Sequence, residues 1–155
     1  MILLRRFLVL AALFFWQGGF TFYAAVVVPV GRDVLTPMGQ AFVTQPVTWY
    51  LNLSGAAALA LLVWDTVAAH GPSAGRRRGR WLCWAGMAVA LGLLFWLHAR
   101  LDALLDADGA KVLDRKAFRF EHRCYLWVST VQWFLGMVYT WLSLEVWRGE
   151  DRRVG

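Results

Sequence analysis

Hydrophobic and polar positions divide the chain into four long apolar segments joined by shorter polar connections. The apolar segments are residues 7–30, 47–69, 81–101 and 120–147. Each is close to the roughly 20 residues that an α-helix needs to cross the hydrocarbon core of a bilayer. The pattern therefore predicts an all-α integral membrane protein, a four-helix bundle with antiparallel neighbours that forms a single domain over residues 1–155.

The fourth segment carries its polar residues on one helical face. They recur at steps of three or four residues, the spacing of one side of an α-helix: His122, Tyr125, Ser129, Gln132, Gly136, Thr140 and Ser143. The opposite face is apolar: Trp127, Val131, Leu135 and Val138. In a bundle surrounded by lipid, small and polar residues pack between helices. We therefore predict that the first face lies inside and the second contacts lipid.

The first segment has two interpretations. Arg5 and Arg6 precede an apolar run from Phe7 to Val30, and a charged start before an apolar run is also typical of a secretory signal peptide. The run is longer than the roughly 7–15 residues of a signal-peptide core, and no small-x-small cleavage site follows it. We predict a retained span that ends at Pro29 and Gly31.

Turn-forming and charged residues mark the three connections. Residues 31–46 contain Pro37, Gly39 and Pro46 and are predicted to be a turn-rich connection. Residues 70–80 are predicted to be a short loop, and residues 102–119 a charged segment of mixed sign.

Composition and charge support a membrane protein. With 59% hydrophobic residues and a mean hydropathy of +0.49, the chain is too apolar for a water-soluble protein of 155 residues. Its net charge of +6 comes from Arg residues at the ends of the apolar segments, where topology signals and lipid-headgroup contacts occur. The lipid bilayer is the predicted partner and nucleic acid is excluded. A homo-oligomer or a second membrane protein remains an open alternative.

The distribution of Arg predicts the orientation. The 70–80 connection contains Arg76, Arg77, Arg78 and Arg80, whereas the 31–46 connection contains Arg32 alone. Because cytoplasmic loops are enriched in Lys and Arg, both termini are predicted to be cytoplasmic. The predicted location is the cell membrane, which is the inner membrane in a bacterium with two membranes. Asp65, near the end of the second span, is predicted to reach the headgroups.

A polar layer is predicted near the outer face. At a rise of 1.5 Å per residue, His122 lies within ~3 Å of the outer boundary, His98 at ~5 Å and Asn52 at ~8 Å. Asp102 follows His98 by one turn on the same face, and Arg123 is next to His122. Polar and ionisable groups at membrane depth usually mark a functional site or a specific partner.

This layer has several interpretations. His98 and His122 could form a bis-imidazole site for haem or copper, with Asp102 as a further ligand or with Asp102 or Asn52 orienting a ring. Alternatively, both are hydrated interfacial histidines, or they bind a proton or a small molecule. The sequence has no nucleotide-binding fingerprint, nucleophile elbow or zinc-protease motif, so no catalytic residue is predicted.

Gln17 and Gln132 form a second polar layer. Both lie ~17–19 Å from the outer boundary, near the middle of the membrane. They are predicted to form an interhelical amide pair, worth ~0.6–2 kcal/mol, that sets the helix register. The alternative is a polar gate in a transport path.

Two segments resemble a known group of small membrane proteins. Residues 15–29, FWQGGFTFYAAVVVP, are similar to the first helix of the transmembrane-protein-205-like proteins, which belong to a wider copper-resistance-D-like group. That helix has a Trp, one or two Gly, aromatic residues and then Val-x-Pro. Residues 121–129, EHRCYLWVS, resemble a later helix of the group that opens with His and carries a Ser one or two turns on.

The resemblance implies a four-helix membrane fold. Because the wider group includes proteins implicated in copper handling and a haem-associated porphyrinogen oxidase, it also implies copper or haem as a ligand. Unlike that oxidase, this chain has no His in its first segment. Three classes of function follow: a membrane protein with a polar site near its outer face that binds haem or copper, a non-catalytic structural or accessory protein, and a small transporter subunit.

Overall fold

The computed structural model describes residues 2–69, 74–106 and 111–154. Within these ranges the chain forms four helices: α1, Ile2–Val34; α2, Pro37–Ala68; α3, Ala74–Ala103; and α4, Arg115–Val154. The predicted all-α fold is confirmed. Three segments are long and apolar enough to span a membrane: Ile2–Val34, Met38–Ala68 and Ala74–Ala103. The fourth helix is less apolar because Ser, Thr, Tyr and Gln recur along it, although its residues 124–144 include no Asp, Glu, Lys or Arg.

The first helix continues past Pro29, where it was predicted to end. It is α-helical over Ile2–Phe22, π-helical over Tyr23–Val27 and α-helical again over Val28–Val34. Proline has no N–H to donate and its ring crowds the preceding turn. The wider π-helical turn just before it, in which the Val28 N–H donates to the Tyr23 carbonyl, lets the helix continue.

The turn-rich connection predicted for residues 31–46 is wrong. The break between α1 and α2 comprises only Leu35 and Thr36, and α2 begins at Pro37. Proline is favoured in the first turn of a helix, and the Thr36 hydroxyl caps this one by accepting from the Gly39 N–H at 3.1 Å. Pro46 lies inside α2, where it removes only one backbone hydrogen bond.

The charged segment between α3 and α4 contains a short antiparallel hairpin. Strand β1, Leu105–Asp106, pairs with strand β2, Lys111–Val112, with Leu105 opposite Val112. The Asp114 carboxylate then accepts from the backbone N–H groups of Lys116 and Ala117, at 2.8 and 3.0 Å, in the first turn of α4. The fourth helix therefore begins before the predicted residue 120. The loop predicted for residues 70–80 is wrong over residues 74–80, which form the first two turns of α3, and its residues 70–73 lie outside the described residues.

The predicted inner and outer faces of α4 are largely confirmed. Tyr125, Ser129, Gln132 and Ser143 are buried, whereas Trp127, Val131 and Val138 are exposed. Leu135 was predicted to face lipid, but it is half-buried and packs against Gly86 of α3. Glycines also occur at other crossings: a Cβ on Gly55 would lie 2.8 Å from the Trp16 indole nitrogen. Small residues at these positions let the helices approach closely.

The bundle has two distinct ends. The hairpin end comprises the Leu35–Thr36 turn and the β1–β2 hairpin. The terminal end comprises the start of α1, the end of α2, the start of α3 and the end of α4. The central core between them is apolar and is formed by Leu13, Trp16, Leu59, Met87 and Leu91.

Candidate functional site

A cavity of about 380 Å³ lies in the hairpin-end half of the bundle, and all four helices contribute to its walls. Its polar lining includes Thr48, Asn52, His98, Asp102, His122, Tyr125, Ser129 and Gln132. Its apolar lining includes Trp16, Phe20, Leu51, Leu94 and Leu126. The predicted polar layer and the inner face of α4 therefore meet in one cavity.

The deep wall of the cavity is formed by neutral polar groups. Asn52 is only 4% exposed, and its side-chain oxygen accepts from the Tyr125 hydroxyl at 3.1 Å. The amide nitrogen of Asn52 is buried and has no hydrogen-bond partner among the residues that the structure describes. Because buried polar groups in folded proteins are nearly always paired, this free donor is the most unusual feature of the cavity.

The rim of the cavity contains a hydrogen-bonded cluster around His98. The His98 Nε2 lies 3.3 Å from the Asp102 carboxylate, one helical turn away, as the i, i+4 spacing predicts. The other ring nitrogen, Nδ1, lies 3.4 Å from the Thr48 hydroxyl. The Gln45 amide donates to the second carboxylate oxygen of Asp102 at 2.9 Å. Both ring nitrogens of His98 therefore already face polar partners from α2 and α3.

His122 lines the same cavity but differs from His98 in its surroundings. Its side chain is exposed, and its ring stacks on Phe118, with the ring centres 6.2 Å apart and the planes nearly parallel. Arg123, which was predicted to support the site, is exposed and is not among the residues that line the cavity.

The described residues lend no support to the haem or copper centre considered above. A bis-imidazole centre needs a free nitrogen from each ring directed at a common ion, and both nitrogens of His98 face Asp102 and Thr48. Within the described ranges, no group of three or more His, Cys, Asp or Glu side chains is placed to hold a metal ion.

The predicted amide pair between Gln17 and Gln132 is not formed in the described part of the chain. The Gln132 amide instead donates to the Met87 carbonyl on α3 at 3.2 Å. Both amide atoms of Gln17 are buried without a hydrogen-bond partner among the described residues. Gln17 packs against Gly136, one turn beyond Gln132: a Cβ on Gly136 would lie 1.9 Å from the Gln17 amide nitrogen. The two residues reach similar depths, but the helices are rotated so that the amides do not meet.

The terminal end contains a buried charge network that the sequence did not lead us to expect. Asp65 was predicted to reach the headgroups, but it is 0% exposed. One of its carboxylate oxygens lies 2.9 Å from the Arg5 Nε and accepts from the Trp147 indole at 3.2 Å. The other oxygen is paired with Arg80, which is 1% exposed. Side chains from all four helices therefore meet at one carboxylate.

Further contacts extend this network around Tyr139. The Arg80 guanidinium donates to the Tyr139 hydroxyl at 3.0 Å and lies over its ring. That hydroxyl also contacts the Thr66 hydroxyl at 2.7 Å and donates to the Leu62 carbonyl at 3.0 Å. The network thus combines buried ion pairs with hydrogen bonds, although the Nε atoms of Arg5 and Arg80 have no hydrogen-bond partner among the described residues.

A second set of ion pairs joins the two ends of the chain. Arg5 and Arg6 both bind the Glu150 carboxylate, at 2.9 and 3.0 Å. Arg6 also pairs with Asp151 at 2.8 Å. Counting the Asp65–Arg80 pair, three acidic groups in these contacts balance three arginines, namely Arg5, Arg6 and Arg80. The sequence did contain one signal for this charge network. Asp65 lies inside an apolar segment, at the depth that Arg5 and Arg80 reach on neighbouring helices.

The chain matches no protein-family model, no curated protein and no solved structure in comparisons with known proteins.

Proposed function

We propose that this protein is a four-span integral protein of the cell membrane that binds a small organic molecule in its hairpin-end cavity. The observation that carries the proposal is the cavity itself. Its volume of about 380 Å³ lies in the ~300–1,000 Å³ range of small-molecule sites. Its walls are largely apolar with a few buried polar groups, among them the unpaired amide nitrogen of Asn52.

The surface of α4 supports a fourth span. Its charge-free residues 124–144 are about as long as a bilayer requires. Trp127 and Trp141 are 72% and 67% exposed, and large apolar side chains exposed in this number favour contact with lipid. Membership of the transmembrane-protein-205-like group is part of the proposal. It is supported by the sequence pattern of residues 15–29 and 121–129.

The proposed orientation has the terminal end in the cytoplasm and the cavity facing outward. The distribution of Arg supports it, because Arg76, Arg77, Arg78 and Arg80 begin α3 at the terminal end. Only Arg32 lies near the α1–α2 turn.

A second candidate function is that of a small transporter subunit. One observation favours it: the cavity is confined to one half of the bundle, while a buried ion-pair network joins the helices at the other end. A carrier that is open to one side has this arrangement. A purely structural or accessory role is the outcome expected if the cavity admits no small molecule.

Cysteine labelling tests the orientation. Cys83→Ala and Cys124→Ala give a cysteine-free background, because these are the two cysteines of the chain. Leu113→Cys, exposed at the hairpin end, should react with a membrane-impermeant maleimide in intact cells. Ala74→Cys, exposed at the terminal end, should react only after permeabilisation. The reverse pattern would place the cavity on the cytoplasmic side.

Access to the cavity is tested with a small neutral thiol reagent, methyl methanethiosulfonate. Ser129→Cys lines the cavity and should be modified in the purified, detergent-solubilised protein. Ser143→Cys is the matched control, since Ser143 is equally buried on the same face of α4 but lies near the terminal end. It should react at least about tenfold more slowly, because exchange with a packed core requires local opening. Equal rates would contradict the proposed cavity.

A further inference from the structure

Asn52 leaves one unmet hydrogen-bonding requirement in the cavity. Its oxygen is already the acceptor of the Tyr125 hydroxyl. Its amide nitrogen is buried and without a hydrogen-bond partner among the described residues. An unpaired buried donor is unfavourable. Because Asn52 lines the cavity, a rotation of its amide group toward the cavity would let an acceptor atom on a bound molecule relieve it. The group that this site lacks is therefore an acceptor oxygen.

The polar groups around Asn52 are neutral. Tyr125, Ser129 and Gln132 line the deep part of the cavity. The charged side chains among the described lining residues, Arg32 and Asp102, belong to the last turns of α1 and α3, at the hairpin-end rim. An ion inserted past that rim would lose its hydration without meeting a counter-charge. The part of the ligand that reaches Asn52 is therefore uncharged.

The apolar walls determine the remaining chemistry. The rings of Trp16 and Phe20 and the side chain of Leu94 line the cavity with Asn52. Aromatic rings pack favourably against other rings, offset or edge to face. A flat ring system would fill this space and place a substituent oxygen at the amide.

We propose that the cavity binds an uncharged aromatic carbonyl compound, whose carbonyl oxygen accepts a hydrogen bond from the amide nitrogen of Asn52. This inference rests on the proposed function, which requires only that the cavity binds some small molecule. It adds the chemical class of that molecule and the residue that recognises its oxygen.

The sequence offers a direct probe, because Asn52 is the only asparagine of the chain. Labelling with side-chain ¹⁵N-asparagine gives a single side-chain NH₂ signal in the NMR spectrum of the full-length protein. The probe is 2-acetylnaphthalene. Its matched control is 2-isopropenylnaphthalene, which has the same shape with a CH₂ group in place of the carbonyl oxygen. We expect the ketone to move one amide proton downfield in a saturable manner and the hydrocarbon to leave it in place.

Affinity is measured independently of Asn52, as protection of the Ser129→Cys variant from methyl methanethiosulfonate. Leu113→Cys, exposed outside the cavity, controls for partition of the probes into detergent. The ketone should protect at about 5–10-fold lower concentration than the hydrocarbon, the effect of one net hydrogen bond. Asn52→Leu, made in the Ser129→Cys background, should abolish this preference. The NMR experiment tests the same point without any substitution.

The outcomes separate the two proposals. If both probes protect equally and the amide signal does not move, the cavity binds molecules but Asn52 does not recognise an acceptor, and this inference is overturned alone. If the alcohol 1-(2-naphthyl)ethanol protects better than the ketone, the site prefers a donor and the inference is likewise overturned. If none of the probes protects Ser129→Cys although methyl methanethiosulfonate modifies it readily, this inference is again overturned alone. If Ser129→Cys reacts no faster than Ser143→Cys, the proposed function is overturned together with this inference.

Discussion

The two ends of this bundle place polar side chains among apolar helices in opposite ways. At the terminal end, Asp65 and Arg80 are fully buried charges, and each has several partners on other helices. At the hairpin end, the buried groups are mostly neutral, they line a cavity, and the Asn52 amide nitrogen has no hydrogen-bond partner among the described residues. A charge that is paired with groups on several helices holds those helices together, whereas an unpaired neutral group beside a cavity can bind something else.

The physical reason is the difference between a charge and a dipole in an apolar interior. Unpaired buried charges are so unfavourable that a network such as Asp65 with Arg5 and Arg80 is tolerated only when each charge has a counter-charge. An amide or hydroxyl without a partner costs only about 1–3 kcal/mol. The bundle can sustain such groups, and a ligand can satisfy one that lies beside the cavity. The terminal end should therefore be sensitive to substitution and the hairpin end tolerant.

The largest expected effect is at Asp65. Asp65→Asn removes the carboxylate that neutralises the buried Arg80, and loss of one partner of a buried pair costs about 3–5 kcal/mol. The measurement is the free energy of unfolding in a mild detergent. Asp102→Asn is the matched control at the hairpin end. Its carboxylate is about one-third exposed, so the change should cost no more than about 1 kcal/mol. Similar losses for the two variants would remove the distinction between the ends.

A second, smaller effect is expected at the contact between the two halves. Gly136→Leu would collide with Gln17, since even a Cβ lies 1.9 Å from its amide nitrogen, and overpacking of this kind costs about 1–3 kcal/mol. Val131→Leu, on the exposed face, should change stability by less than about 0.5 kcal/mol.

Two control variants locate the origin of this effect. Gly136→Ala should be better tolerated when combined with Gln17→Ala, because the shorter side chain removes the clash. Equal melting temperatures for Gly136→Leu and Val131→Leu would show that the helical phase of α4 is wrong.

The smallest expected difference in stability is between Phe variants of two tyrosines on the same face of α4. The Tyr139 hydroxyl contacts Arg80, Thr66 and the Leu62 carbonyl, whereas the Tyr125 hydroxyl donates to the neutral side-chain oxygen of Asn52. Tyr139→Phe should therefore cost about 1–3 kcal/mol and Tyr125→Phe about 0.5–1.5 kcal/mol, judged from hydrogen bonds to charged and neutral groups. Chemical denaturation of the two variants gives the comparison, and a larger loss for Tyr125→Phe would reverse it.

Features that depend on one helix could be predicted from the sequence. The spacing of Ser129, Gln132 and Ser143 correctly placed them on the inner face of α4. The separation of four residues brought His98 and Asp102 into contact. In both cases the periodicity of a single α-helix is enough.

Features that depend on how helices are rotated against one another could not be predicted. Gln17 and Gln132 have matching depths, yet Gln132 reaches Met87 and Gln17 packs on Gly136. Likewise, an Arg or Asp at a helix end has the same appearance in the sequence whether it faces headgroups or a neighbouring helix. The rotation of α2 and α3 turned Asp65 and Arg80 inward. Pro37 and Pro46 misled in another way, because Pro37 begins α2 instead of preceding it, and Pro46 lies inside the helix at the loss of one backbone hydrogen bond.

The most direct test of the difference between the two ends compares two double variants with matched changes. Asp65→Asn/Tyr139→Phe removes a carboxylate and a hydroxyl at the terminal end. Asn52→Leu/Tyr125→Phe removes an amide and a hydroxyl at the hairpin end. The measurement is the melting temperature of each purified protein in the same detergent. The first should melt at least about 10 °C below the unsubstituted protein, since 1 kcal/mol corresponds to roughly 2–4 °C at this chain length. The second should melt within about 3 °C of it or higher, because both partners of a buried hydrogen bond are replaced by apolar groups. Equal decreases in melting temperature, or a larger decrease for the hairpin-end variant, would contradict the different roles assigned to the polar groups at the two ends.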